Sequence, residues 1–121
     1  MRSRNLHFDG SGQSVVVIDS GYDIIHPNDK VIYELDFNGN DQSAFNGQQS
    51  SHGGAVAAVV NQYASDADII HLKVAPDFSD DNIRTADIEE ALRWCIENAE
   101  AYKITAVNIS LASRTTFSSY T

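Results

Sequence analysis

Apolar residues in this chain fall into blocks with two different rhythms. Val15, Val16, Val17 and Ile18 follow one another without a polar break, the pattern of a strand buried on both faces. Asp19 ends that run, and Gly21 marks the turn that closes it. Residues 31–37 (VIYELDF) alternate instead, which predicts a short second strand with Val31, Tyr33, Leu35 and Phe37 on one face. Residues 68–74 (DIIHLKV) and 103–111 (KITAVNISL) predict two further strands, the last of them buried. Residues 55–60 are apolar almost all round, so the helix entered at His52, behind the N-cap residues Ser50 and Ser51, is expected inside the domain. Ile88, Ala91, Leu92, Cys95, Ile96 and Ala99 recur at helical spacing. They predict an amphipathic helix capped by Thr85 or Asp87 and running to about Tyr102.

The order β-β-α-β-α-β implies an α/β fold, a three-layer αβα arrangement around a mostly parallel sheet of about four strands with two main helices. Residues 1–13 read as a surface arm, 14–113 as the α/β domain and 114–121 as a tail. In the loop 20–30, His26-Pro27-Asn28 opposes helix. Residues 38–51 are rich in Gly, Asn, Ser and Gln, a long loop with little to bury, and such loops are often functional. A polar loop covers 75–83.

At 121 residues, with 42% apolar and 21% charged residues, the chain suits one domain with a real core. The formal charge of −9 and scattered cations argue against a nucleic-acid partner. Acidic residues concentrate in 77–90 and 97–100, which reads as a solvated face. No apolar run approaches the roughly 20 residues that span a bilayer, so no membrane partner is expected. The single cysteine, Cys95, excludes an intramolecular disulfide and an all-cysteine metal site, and its place on the apolar helix stripe makes it a buried structural thiol. No histidine pair has metal-ligand spacing and no phosphate-binding glycine loop occurs, so neither metal nor cofactor is predicted.

Two residues carry the candidate chemistry. Asp19 ends the first strand, where open parallel sheets place their ligands. An Asx-type cap on the following turn is the structural alternative for it. His52 opens the apolar helix, where the macrodipole disfavours imidazolium and a nearby carboxylate does the reverse while fixing the tautomer. Such a pair is the orienting and proton-accepting half of a nucleophilic hydrolase site. Gly53 and Gly54 beside it suggest close backbone packing or access for something bound there. His26 and His71 read as structural, and His7 lies in the arm.

Val16-Val17-Ile18-Asp19-Ser20-Gly21 followed by His26-Pro27 resembles the aspartate motif of subtilisin-like serine proteases. Ser51-His52-Gly53, running into a small-residue helix, resembles their histidine motif. Residues 69–74 are similar to the strand that follows, and Val107-Asn108-Ile109-Ser110-Leu111 to the strand edge lining the substrate cleft. The likeness covers residues 14–113 in the family's order. It implies Asp19 as the orienting carboxylate, His52 as the general acid/base, and Ser110 and Leu111 on the wall that receives a polypeptide substrate by backbone pairing. The family's serine follows in a Gly-Thr-Ser motif, after an oxyanion-hole asparagine. Neither occurs in these residues, so the chain is expected to be the amino-terminal part of such a domain and inactive alone.

Two departures stand out. The family continues its histidine motif Gly-Thr-His, where this chain has Gly53-Gly54-Ala55. The short link 61–67 lacks the loop that supplies calcium ligands in many relatives, so calcium is not predicted there. Uncovered apolar surface on the first helix and an open strand edge predict self-association or pairing with a missing carboxyl-terminal segment. Two other readings compete: a short pseudoprotease that binds polypeptides without cutting them, and a small α/β hydrolase or phosphotransfer domain with Asp19 as nucleophile. The second lacks the further carboxylates such sites use, since Gly21 stands two residues after Asp19.

Overall fold

The computed structural model describes residues 10–22, 30–39, 41–47, 52–77 and 83–109. Four strands, β1 (Ser14–Asp19), β2 (Lys30–Asp36), β3 (Asp68–Lys73) and β4 (Ile104–Ile109), and two helices, α1 (His52–Tyr63) and α2 (Thr85–Asn98), alternate as the apolar rhythm requires. The strands form one sheet in the order β2-β3-β1-β4, and every pairing is parallel. β1 is central, flanked by β3 and β4, which is why its run of Val and Ile needs no polar face.

Alternation along the strands sorts the core into two layers. Val16, Ile18, Ile70, Leu72 and Val74 pack against Ala91 and Cys95 of α2, with Tyr33, Leu35 and Phe37 alongside. Val17 and Ile69 point the other way, onto Ala57 of α1, joined by Val31, Val56 and Val60. The two helices therefore cover opposite faces, giving the three-layer αβα arrangement. Val31 does not share the face of Tyr33, Leu35 and Phe37, because the register of β2 slips between Val31 and Tyr33 and sends the earlier residue across the sheet.

Opposite faces have a topological consequence. The crossovers β2-α1-β3 and β3-α2-β4 both step in the same direction along the sheet. With helices on opposite sides they must differ in hand, so one of the two departs from the right-handed rule that about 98% of such units obey.

Several expectations are corrected by packing. α1 is not enclosed: Val59 is 54% and Tyr63 77% exposed on its outer side, because the sheet covers one flank only. β4 is a sheet edge, not a buried strand, and Val107 and Ile109 are partly open to solvent. Ile96, assigned to the core stripe, is 79% exposed. The α2 N-cap is Arg84, in extended conformation and without a side-chain cap. Asp87 is instead buried in the first turn, accepting from Arg84 Nε (3.0 Å), Arg84 Nη2 (3.2 Å) and Asn38 Nδ2 (3.1 Å). It is thus no part of a solvated acidic face. α2 stops at Asn98 rather than near Tyr102, where the chain turns through Lys103 at φ +55° into β4. Tyr102 packs instead against Tyr33 and Trp94, with ring centres 5.4 and 5.5 Å away. Cys95 is buried as expected, and burial pushes its thiol up to about 11.

Among the described residues no helix is long and apolar enough to cross a membrane.

Candidate active site

The face of the sheet beneath α1 changes character from one end to the other. At the amino ends of the strands, Val31, Ile69 and Val15 share a register level, which is apolar. One step of alternation up, Val17, His71 and Glu34 stand side by side. At the carboxyl ends the row is Asp19, Lys73 and Asp36. Alternation puts these residues on the α1 side, because Val17 and Ile69 already lie there. All charged members of the top row are buried.

Asp19 is 1% exposed, and its Oδ1 accepts the N–H of Ser20 at 2.7 Å. Its carbonyl accepts the N–H of Val74 at 2.9 Å, so the strand pairing continues one step past the carboxylate. The chain then turns at Gly21, whose φ of +91° suits glycine. A Cβ at Gly21 would overlap the Ala44 carbonyl oxygen and lie 2.9 Å from Lys73 Cδ.

α1 begins against this turn. A Cβ on Gly53 would overlap the Gly21 carbonyl oxygen and approach its C and N at 3.0 and 3.1 Å. Backbone meets backbone, with no room for a side chain. Gly21 lies two residues after Asp19 and Gly53 one after His52, so the fold brings the ends of β1 and α1 together. Ser110 and Leu111 fall outside the described residues, as do Ser50, Ser51 and His26. β4 runs parallel beside β1 as far as Ile109, which pairs with Ile18.

The segment 41–47 closes the site from the β2 side, and here the expectation of a loop with little to bury fails. Ala44 and Asn46 are fully buried. Asn46 donates from Nδ2 to the carbonyls of Ser20 (2.7 Å) and Pro76 (3.3 Å), and its N–H donates to the Tyr22 carbonyl (2.6 Å). Tyr22 returns an N–H to Ala44 O at 3.0 Å. The loop owes its order to satisfied backbone groups rather than to apolar contact.

Beneath lies a polar layer that sequence reasoning did not single out. Tyr22 donates its hydroxyl to Glu34 (2.8 Å to Oε1), and Glu34 Oε1 also accepts the N–H of Ala44 (2.7 Å). Burial, reinforced by that carboxylate, holds the Tyr22 phenol well above its ordinary range. His71 is buried against the Tyr22 ring, centres 5.1 Å apart, and burial pushes its pKa down to about 4. Among the described residues neither His71 Nδ1 nor Ser20 Oγ finds a hydrogen-bond partner. Lys73 donates to Asp36 Oδ2 at 3.1 Å and to Asp77 Oδ1 at 2.7 Å. The signal present in the sequence is the alternation Ile69, His71, Lys73, which places two polar groups on one face of an otherwise apolar strand.

Among the described residues no three His, Cys, Asp or Glu side chains gather as metal ligands. No protein-family model matches the chain.

Proposed function

We propose that this chain is the aspartate- and histidine-bearing part of a subtilisin-like serine endopeptidase domain. Asp19 is the orienting carboxylate in this reading and His52 the general acid/base. The observation that carries it is the backbone contact between Gly21 and Gly53, which joins the two motif segments at the carboxyl end of the central strand. The burial of Asp19 supports the same role. A carboxylate that attacks a substrate must be reached by its electrophile, whereas one that orients an imidazole works enclosed. That argues against Asp19 as nucleophile.

The chemistry would be acyl transfer. His52, at a helix N-terminus that favours neutral imidazole, takes the proton of an attacking serine. Asp19 then stabilises the imidazolium and holds its other ring nitrogen. The serine and an oxyanion donor have to come from outside these 121 residues, which contain no Gly-Thr-Ser sequence. A polypeptide substrate would add beside β4, the edge strand next to the Asp19 end of β1 among the described residues, and Ser110 and Leu111 are the substrate-binding residues that the resemblance implies.

The test uses a fluorophosphonate probe, which labels activated serines. The 121 residues alone should neither label nor cleave peptides. The product of the full encoding reading frame should label on one serine, and His52→Ala should abolish the label. A full-frame product with no labelled serine would refute the endopeptidase reading and leave a polypeptide-binding module. Labelling of the 121 residues themselves, lost in His52→Ala, would refute the assignment of the nucleophile.

A further inference from the structure

Lys73 is the most deeply buried cation of the described residues, at 1% exposure, and it sits in the same row as Asp19. Burying an ammonium is costly even when it is paired, and a well-packed apolar residue in such a place is often as stable or more so. A purely structural demand at this position would therefore be met by an aliphatic side chain. The surroundings suggest what the charge is for. Its Nζ holds Asp36, at the end of β2, and Asp77, beyond the end of β3. Asp36 in turn accepts the N–H groups of Asn38 (2.9 Å) and Gly39 (2.7 Å) through Oδ1, which fixes the turn after β2. The Lys73 stem passes directly under Gly21, the turn after β1. One side chain thus gathers the turns that follow three neighbouring strands.

We infer that Lys73 is a positioning residue for the Asp19–His52 pair. Its ammonium, anchored by Asp36 and Asp77, draws the stem across the sheet and sets the height of the Gly21 turn. Gly53 seats on that turn, so the N-terminus of α1, which carries His52, takes its position from it. This rests on the reading that Asp19 and His52 act as a pair, and the experiment separates the two claims.

The measurement is the titration of the His52 imidazole by NMR in uniformly labelled protein, assigned by the signal that His52→Gln removes. Asp19→Asn should lower the His52 pKa by about 1 or more, since a carboxylate partner raises it. Lys73→Met should lower it as well. That sign is diagnostic, because Lys73→Met removes a positive charge and leaves Asp36 and Asp77 unopposed, and both electrostatic changes would raise the His52 pKa. The Asp19→Asn/Lys73→Met double variant should show no lowering beyond that of Asp19→Asn alone, as expected when the lysine positions the pair.

If Asp19→Asn lowers the pKa while Lys73→Met leaves or raises it, the positioning role is refuted and the pair stands. If Asp19→Asn has no effect, the pair is refuted and the inference falls with it. Should Lys73→Met fail to fold, Lys73→Met/Asp36→Asn leaves no stranded carboxylate at the buried end. A His52 pKa below that of Asp36→Asn alone supports the positioning role, because loss of the lysine charge would by itself raise it, and an equal or higher one refutes it.

Discussion

Gly53→Ala sets two physical effects against each other. Alanine is the better helix former by about 1 kcal/mol in a helix interior, and by less in the first turn, where residue 53 lies. Propensity alone would make the variant equal or slightly more stable. The added methyl, however, overlaps the Gly21 carbonyl oxygen and crowds the C and N of the same residue. Those are backbone atoms of a turn tied on either side, by Val74 N–H to Asp19 O and by Tyr22 N–H to Ala44 O. No rotamer change relieves the clash, so α1 itself must move. Overpacking that forces a backbone shift costs about 1–3 kcal/mol. Set against the small propensity gain, the net loss is about 1–2 kcal/mol, and with a urea slope of about 1–1.5 kcal/mol/M for a chain this small the midpoint falls by roughly 1 M. Equilibrium urea unfolding followed by circular dichroism measures it. A midpoint equal to or above that of the parent, at unchanged slope, would refute the tight contact between α1 and the Gly21 turn.

Two further outcomes follow from buried titratable groups. His71 is held neutral, down to about 4 from an ordinary 6.5, so between those values the unfolded chain binds a proton that the folded chain refuses. Stability should therefore fall as pH drops from 6.5 to 4, by about 3 kcal/mol from this residue alone. His71→Phe should flatten that part of the pH–stability curve, and an unchanged slope would refute the assignment. The Cys95 thiol, pushed up to about 11, carries about 100-fold less thiolate at pH 8 than an ordinary cysteine. Its reaction with a disulfide reagent should be slowed at least that much in the folded protein and restored in denaturant. Equal rates in the two states would show that the thiol is not held in the α2 core.

The strands and both helices are legible in the sequence because their signals are local. A run such as Val15 to Ile18 leaves little choice but a buried parallel strand, and the stripe from Ile88 to Cys95 can only be a helix packed on one side. Gly21 and Gly53, the glycines next to Asp19 and His52, are also legible as places where two backbones meet. What could not be read depends on partners distant in sequence. Burial of Asp87 requires Asn38 across the fold. Order in the 41–47 segment requires the Ser20 and Tyr22 carbonyls. The Lys73 cluster exists only because three strands end in register, and no window of sequence contains all three. Exposure of β4 follows from strand order, which periodicity does not encode.

The opposite hands of the two crossovers bear on how the chain folds. A strand–helix–strand unit that closes by itself takes the right hand, because the twist of its own strands favours it. The unit of the other hand cannot be left to local preference. Its helix must be captured on the unexpected face by contacts already made elsewhere in the sheet. That makes non-local pairing a precondition rather than a result, and chains governed by non-local contacts fold slowly. The opposite hands are what hold α1 on the Asp19 face and α2 on the other. The step that sets the chirality of the fold thus also sets which helix covers which face, and a chain that closed both units with the usual hand would crowd α1 and α2 onto one face of the sheet.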